Sequence, residues 1–536
     1  MKVALTCRRA AARLTLATLP VLGLVAPTAW TATPAAASAN TVVTENQQPG
    51  TTAWQIGALV ADDANGQVKG YASATSVNHG QDLSLYVTVN PPQTYTIDFY
   101  RIGWYGGMGG RLLSHVGPLS GTTQAPCLPD ATTGLIACNW AAAYTLTVPA
   151  DWTSGVYLGL LTNAAGYQNY VVFVVKDGRP APYLFQASMA TYEAYNNYPD
   201  DQLNGKSLYG FNSYGAPTVA NDVRAVKVSF DRPYAADGSG HFLWWEVQFV
   251  RFVERLGYDV TYSTDLDTHE NGAALLNSKA LLAVGHDEYW SKEMRDAVEA
   301  ARNAGVSLGF FGSNDDFWQV RFEPSAGGTA DRVMVCYKDP GLDPIQGPTS
   351  TVNFRSAPVN RPEQSLIGIQ FTSSVPWGNN ASYLVLNGLH WAYSGSSTHD
   401  ADMVPGLVGY EMDRMMPDYP LPASRSQTLL SKSPYVSSGG LPDFANSSIY
   451  QAPSGAWVFA AGTTSWNLGL DSWNSTIADP RIQQTTANLL NAFVSGAPSS
   501  LVPNTPLPAL PAGVGASPAM VNALHTSQAA IGLGLD

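Results

Sequence analysis

His286, Asp287, Glu288 and Tyr289 stand together at the end of the apolar run Ala280 to Gly285, in the stretch ALLAVGHDEYWS. An imidazole beside two carboxylates and a phenol can move protons or hold a metal ion. Their position suits such work. A short apolar run of this kind belongs to a strand covered on both faces of a parallel sheet, and such sheets bind ligands outside the carboxyl ends of their strands. The same residues also admit a purely local reading, in which His286 caps the turn and Asp287 and Glu288 favour the positive end of the next helix. Ser291 can cap that helix, Met294, Val298 and Ala301 line one face of it, and Gly305 stops it after Ala304.

The elements that must position these residues alternate along the chain after Lys176. PYLFQA, VKVSF, DVTYSTD, ALLAVG and SLGFFG are short strands, and Phe242 to Leu256 is an amphipathic helix ending at Gly257. The pattern predicts a doubly wound, mostly parallel α/β sheet. WVFAAG is its expected last strand and Arg481 to Val494 its last helix, with a Gly/Ser/Pro-punctuated insertion over about 322–450. Before Lys176 the runs LSLYVTVN, YTIDFYRIGWY, AYTLTVP and VYLGLLTN are separated by Gly, Pro and Asn, which is the texture of an all-β, immunoglobulin-like sandwich. Within it YRIGWYGGMGGRLL lacks the lysine, preceding buried strand and following helix of a phosphate loop, so it reads as a tight turn packed by Trp104 and Tyr105. The expected organisation is therefore 1–39 export signal, 40–177 sandwich, 178–496 α/β domain, and a Pro/Ala/Gly-rich tail over 497–536.

The signal reading rests on Arg8, Arg9 and Arg13 ahead of LTLATLPVLGLVA, followed by the small residues AAASA. It predicts a secreted, extracellular protein, exported by the general or the twin-arginine route. No later run approaches a membrane span. With a formal net charge of −13 and no basic cluster, nucleic acid and anionic membranes are poor candidate partners. Cys127 and Cys138 lie in a loop-like segment of an exported chain and are expected to pair, which leaves Cys336, in the apolar run VMVCY, as a buried thiol.

Five segments, in order, carry a resemblance: TYEAYNNY (191–198), GKSLYGF (205–211), SFDRPY (229–234), VGHDEYWS (284–291) and FFGSNDDFW (310–318). Together they resemble the large-subunit domain of the N,N-dimethylformamidase family, and YRIGWYGG resembles the β-domain preceding it in many secreted relatives. The resemblance implies a glutamine-amidotransferase-like (flavodoxin-like) α/β fold. It also implies a mononuclear iron, Fe3+, held by two tyrosines and one glutamate, with no cysteine nucleophile. Placed by motif, the glutamate is Glu288, the histidine beside the metal is His286, one tyrosine is Tyr209, and the other is Tyr195, with Tyr192 as the alternative. Phenolate and carboxylate oxygens are hard donors suited to ferric iron. The family's enzymes pair this chain with a small subunit, which this chain does not encode, and homo-oligomerisation is left open. Asp287 stands where relatives can have proline.

Two functions follow as expectations. One is a secreted, metal-dependent hydrolase of a non-peptide C–N amide bond, acting on a small or cell-surface amide, with His286 and Glu288 in catalytic roles. The other is a secreted, non-catalytic binding protein on the same scaffold, engaging glycan or cell-wall polymer. GVSLG matches the nucleophile-elbow pattern, but Ser307 leads from a helix stop into a strand, the reverse of what an elbow needs.

Overall fold

The computed structural model describes residues 40–496; the expected export signal and tail lie outside them. The runs before Lys176 form two sheets. One has five strands, ordered Ser76–Asn78, Gln168–Lys176, Gly155–Asn163, Thr94–Ile102 and Gly110–Ser120. The other has three: Lys69–Ala72, Asp82–Thr88 and Ala142–Thr147. Their inward residues, among them Leu83, Leu85, Ile97, Phe99, Leu161 and Phe173, share one apolar cluster. This is the period-2 alternation of a half-buried strand. The glycine-rich segment turns between Thr94–Ile102 and Gly110–Ser120. Its glycines are needed for close approach, since a Cβ on Gly110 would lie 2.5 Å from the Trp54 ring.

The central sheet has seven strands: Val260–Thr264, Ala181–Ala187, Ser278–Gly285, Ser307–Gly312, Trp457–Ala460, Ser448–Gln451 and Ser426–Leu429. The first five run parallel; the last two are antiparallel. Ser278–Gly285 sits third, paired on both sides, and is buried on both faces. Leu281 and Ala283 meet Met294 and Val298 of the helix Lys292–Asn303. Leu282 and Val284 join Phe249, Val250 and Leu490 from the helices Val247–Arg255 and Pro480–Ser495.

One sequence expectation is corrected here. VKVSF does not enter the parallel sheet: Lys227–Ser229 pairs antiparallel with Val333–Val335, in a separate four-stranded sheet that also holds Trp318–Glu323 and Tyr289–Ser291. A central parallel strand must be apolar on both faces, whereas Lys227 makes a part-exposed ion pair with Glu323. Trp457–Ala460 is the last strand of the seven-stranded sheet in chain order, as expected, and two strands of the insertion, Ser426–Leu429 and Ser448–Gln451, extend the sheet beyond it. Six further strands of the insertion pair in three two-stranded ribbons.

At Asp177 to Pro182 the chain passes from one sheet system to the other, and the main hydrophobic cluster runs across that point, from Trp54, Tyr100 and Leu158 to Phe185 and Phe249. Charge crosses it as well. Arg101 meets Glu254 at 2.6 Å with both side chains fully buried, and Arg332 donates to the Ala72 carbonyl at 2.9 Å. No helix among the described residues is long and apolar enough to cross a membrane.

Candidate functional site

Gly285 ends the central strand with a φ of 85°, and a Cβ there would lie 2.7 Å from Trp245 Cβ, so the turn that releases His286 from the sheet requires glycine. Glu288 is then fixed by its backbone. Its N–H donates to Thr191 Oγ1 at 2.9 Å, and its carbonyl accepts from the N–H groups of Phe317 and Trp318 at 2.9 and 3.0 Å. Three of the five ordered segments therefore converge on one residue. Of the other two, one carries Tyr209 and the other clamps both tyrosine-bearing segments. Leu208 N–H donates to the Ala194 carbonyl at 3.0 Å, and Arg232 of SFDRPY bonds Glu193 at 2.6 Å, the Asn196 carbonyl at 2.8 Å and the Lys206 carbonyl at 3.0 Å. One buried guanidinium holds both tyrosine-bearing segments in place.

The side chains meet as follows. Tyr195 Oη donates to Glu288 Oε2 at 2.8 Å; Tyr209 Oη lies 3.0 and 3.2 Å from the two Glu288 oxygens and 2.9 Å from Tyr195 Oη. Tyr289 Oη donates to Tyr209 Oη at 2.7 Å. Oxygens adjacent on a small ion with bonds of about 2.0–2.1 Å stand about 2.9 Å apart, so these three donors have the spacing and hardness of an oxygen-ligated metal centre. No cluster of three or more His, Cys, Asp and Glu placed to hold a metal occurs among the described residues; this candidate draws two of its three donors from tyrosine.

Burial raises the phenols of Tyr195, Tyr209 and Tyr289 well above their ordinary value, so without a cation they keep their protons, and burial raises Glu288 too. His286 Nε2 lies 3.4 Å from Glu288 Oε2 and 3.0 Å from Glu411 Oε2, in neither case aligned for a hydrogen bond. Burial disfavours its charge, but Glu411 and then Glu288 outweigh burial and hold it at about 9. Glu411 is oriented by Asn314 Nδ2 at 2.8 Å, from a loop in which Asn314 and Asp316 adopt φ of 54° and 57°. Lys338 Nζ sits 3.3 Å from the centre of the Tyr209 ring, and burial brings it down to about 8.

The structure thus brings His286, Glu288, Tyr195 and Tyr209 together. Tyr192 goes elsewhere, its hydroxyl donating to Glu246. Asp287 turns away to accept from Gln186 at 2.7 Å. Ser291, not His286, caps the helix, taking the Met294 N–H at 3.1 Å. Sequence reasoning missed Glu411 and Lys338, which lie in the insertion and have no periodic or motif signal near them. It quoted Asn314 and Arg232 only within segments, without a role. A cavity of about 320 Å³ between Lys176, Asp267 and Leu275 lies apart from these groups.

Fold and site together define an α/β protein with a buried centre of hard oxygen donors at the carboxyl end of a parallel strand, flanked by a histidine–carboxylate pair. The chain belongs to the N,N-dimethylformamidase beta subunit-like family, whose C-terminal model matches residues 96–480, and so to a family of amidohydrolase-like proteins. No curated protein matches it.

Proposed function

We propose that this chain is a secreted, iron-dependent hydrolase of a non-peptide C–N amide bond. The observation that carries the reading is the convergence of Tyr195, Tyr209 and Glu288 oxygens within 2.8–3.2 Å of one another. These residues would hold ferric iron, which when bound would polarise the amide carbonyl and favour ionisation of water. The cation makes loss of the two phenolic protons favourable, which burial otherwise opposes. His286, kept protonated by Glu411, delivers a proton to the departing nitrogen as water adds to the carbonyl carbon and the C–N bond breaks. The His286–Glu411 pair recovers a proton from that water, so the cycle balances. Asn314 keeps Glu411 turned toward the imidazole, and Lys338 places positive charge against the Tyr209 ring, favouring its anion. Secretion is supported by the reading of Met1 to Ala39 and by the Cys127–Cys138 disulfide, which suits an oxidising compartment.

The test is release of amine from small amides by the purified chain, stripped of metal and then reloaded with ferric iron. Activity should vanish on stripping, return with iron, and be absent in Glu288→Gln under both conditions. A metal-stripped chain that retains full activity would refute the reading.

A further inference from the structure

Four aromatic rings gather beside the proton-transfer pair. Trp377 packs at steep angles against three partners, its ring centre 5.6 Å from Trp244, 5.3 Å from Trp245 and 6.1 Å from Tyr410. Trp245 and Tyr410 lie nearly parallel, 6.4 Å apart. Trp244, Trp245 and Tyr410 are buried, whereas Trp377 is 39% exposed. The cluster adjoins the chemistry on two sides. Tyr410 directly precedes Glu411, which lies 3.0 Å from His286, and Trp245 lies against Gly285, the residue before His286.

Packing alone accounts for the three buried rings but leaves one feature over. A large aromatic side chain, Trp377, remains open to solvent on top of them. The nitrogen side of a scissile amide must approach His286, because that is where the departing amine takes its proton, so a substituent on that nitrogen is the part of a substrate nearest these rings.

We propose that the Trp377 cluster is the substituent pocket of the site and that the substrate is an N-aryl amide, whose ring packs against Trp377. The proposal rests on the amide-hydrolase reading above and narrows it to a substrate class. A dialkyl amide has no ring to engage the cluster, whereas aromatic pairing with a tryptophan contributes enough to shift affinity about tenfold.

The experiment uses the iron-loaded full chain with N-phenylformamide and N,N-dimethylformamide, in the native sequence, Trp377→Ala and Trp377→Phe. Equilibrium dialysis of N-phenylformamide against Glu288→Gln, with and without Trp377→Ala, supplies a readout independent of turnover. Trp377→Ala should raise KM for N-phenylformamide about tenfold with kcat within about twofold, and raise KM for N,N-dimethylformamide by no more than about twofold; Trp377→Phe should restore most of the loss. Equal shifts for both amides, or no shift for either, overturn the pocket while leaving amide hydrolysis standing. Binding to Glu288→Gln that disappears with Trp377→Ala, without turnover of either amide by the native chain, supports the pocket and refutes the hydrolase reading.

Discussion

At the scale of single residues, the proposed chemistry gives Glu288 and His286 different work, one as metal ligand and one as proton carrier. Glu288 touches both tyrosines, so Glu288→Gln keeps its shape but loses the charge that balances a cation, and metal content should fall. His286 touches no phenol oxygen at hydrogen-bond distance, so His286→Ala should leave metal bound and slow turnover by roughly 10² to 10⁴, the usual worth of a general acid or base. Iron analysis beside steady-state rates distinguishes the two variants. Behind the site, burial raises Glu246 from 4.5 to about 8, and its Oε2 has no partner. The folded chain therefore holds a proton that the unfolded chain releases, and this contribution to stability is complete below pH 4.5 and lost as pH rises through 8. Denaturant midpoints should fall between about pH 5 and about pH 8, and Glu246→Gln should flatten that fall. An unchanged slope in the variant would assign the pH dependence to other groups.

At the scale of elements, the strand Ser278–Gly285 and the loop after Ser307–Gly312 do the positioning, and they do so through close backbone approach. A Cβ on Gly312 would stand 2.0 Å from the Gly285 carbonyl oxygen, which cannot move without moving His286. Gly312→Ala should cost roughly 1–3 kcal/mol, the range for over-packing, and displace His286; urea unfolding and the rate of amide hydrolysis measure the two effects. Much of this arrangement was legible in the sequence, since the apolar run, the polar residues at its exit and the serine cap each have a local cause. Tyr195 and Tyr209 were reachable only through the ordered segments, because nothing local separates a ligand tyrosine from a packed one. Glu411 and Lys338 were not reachable at all. They come from a segment whose short ribbons lack periodicity, and only tertiary folding brings them beside His286. The misplacement of VKVSF has a similar origin, since a three-residue strand has too little pattern to reveal which sheet it joins.

At the scale of the whole molecule, the two sheets before Lys176 and the seven-stranded sheet are bound by buried charge as well as by apolar contact. Glu254→Gln leaves the fully buried Arg101 without its counter-charge and should cost roughly 3–5 kcal/mol, seen as a lowered unfolding midpoint. The Cys127–Cys138 bridge closes a short loop, and replacing both cysteines with alanine should cost roughly 3 kcal/mol on the chain-entropy account. Cys336, buried and raised to about 11, should resist alkylation in the folded chain. The central claim is the two-tyrosine, one-carboxylate iron centre, and the most direct measurement is iron content with the visible spectrum of the ferric-loaded chain. One iron per chain and a phenolate-to-iron absorption band, weakened in Tyr209→Phe and absent with the metal in Glu288→Gln, is the predicted result. Equal iron content in native and Glu288→Gln protein, or a bound iron without visible absorption, would contradict the assignment.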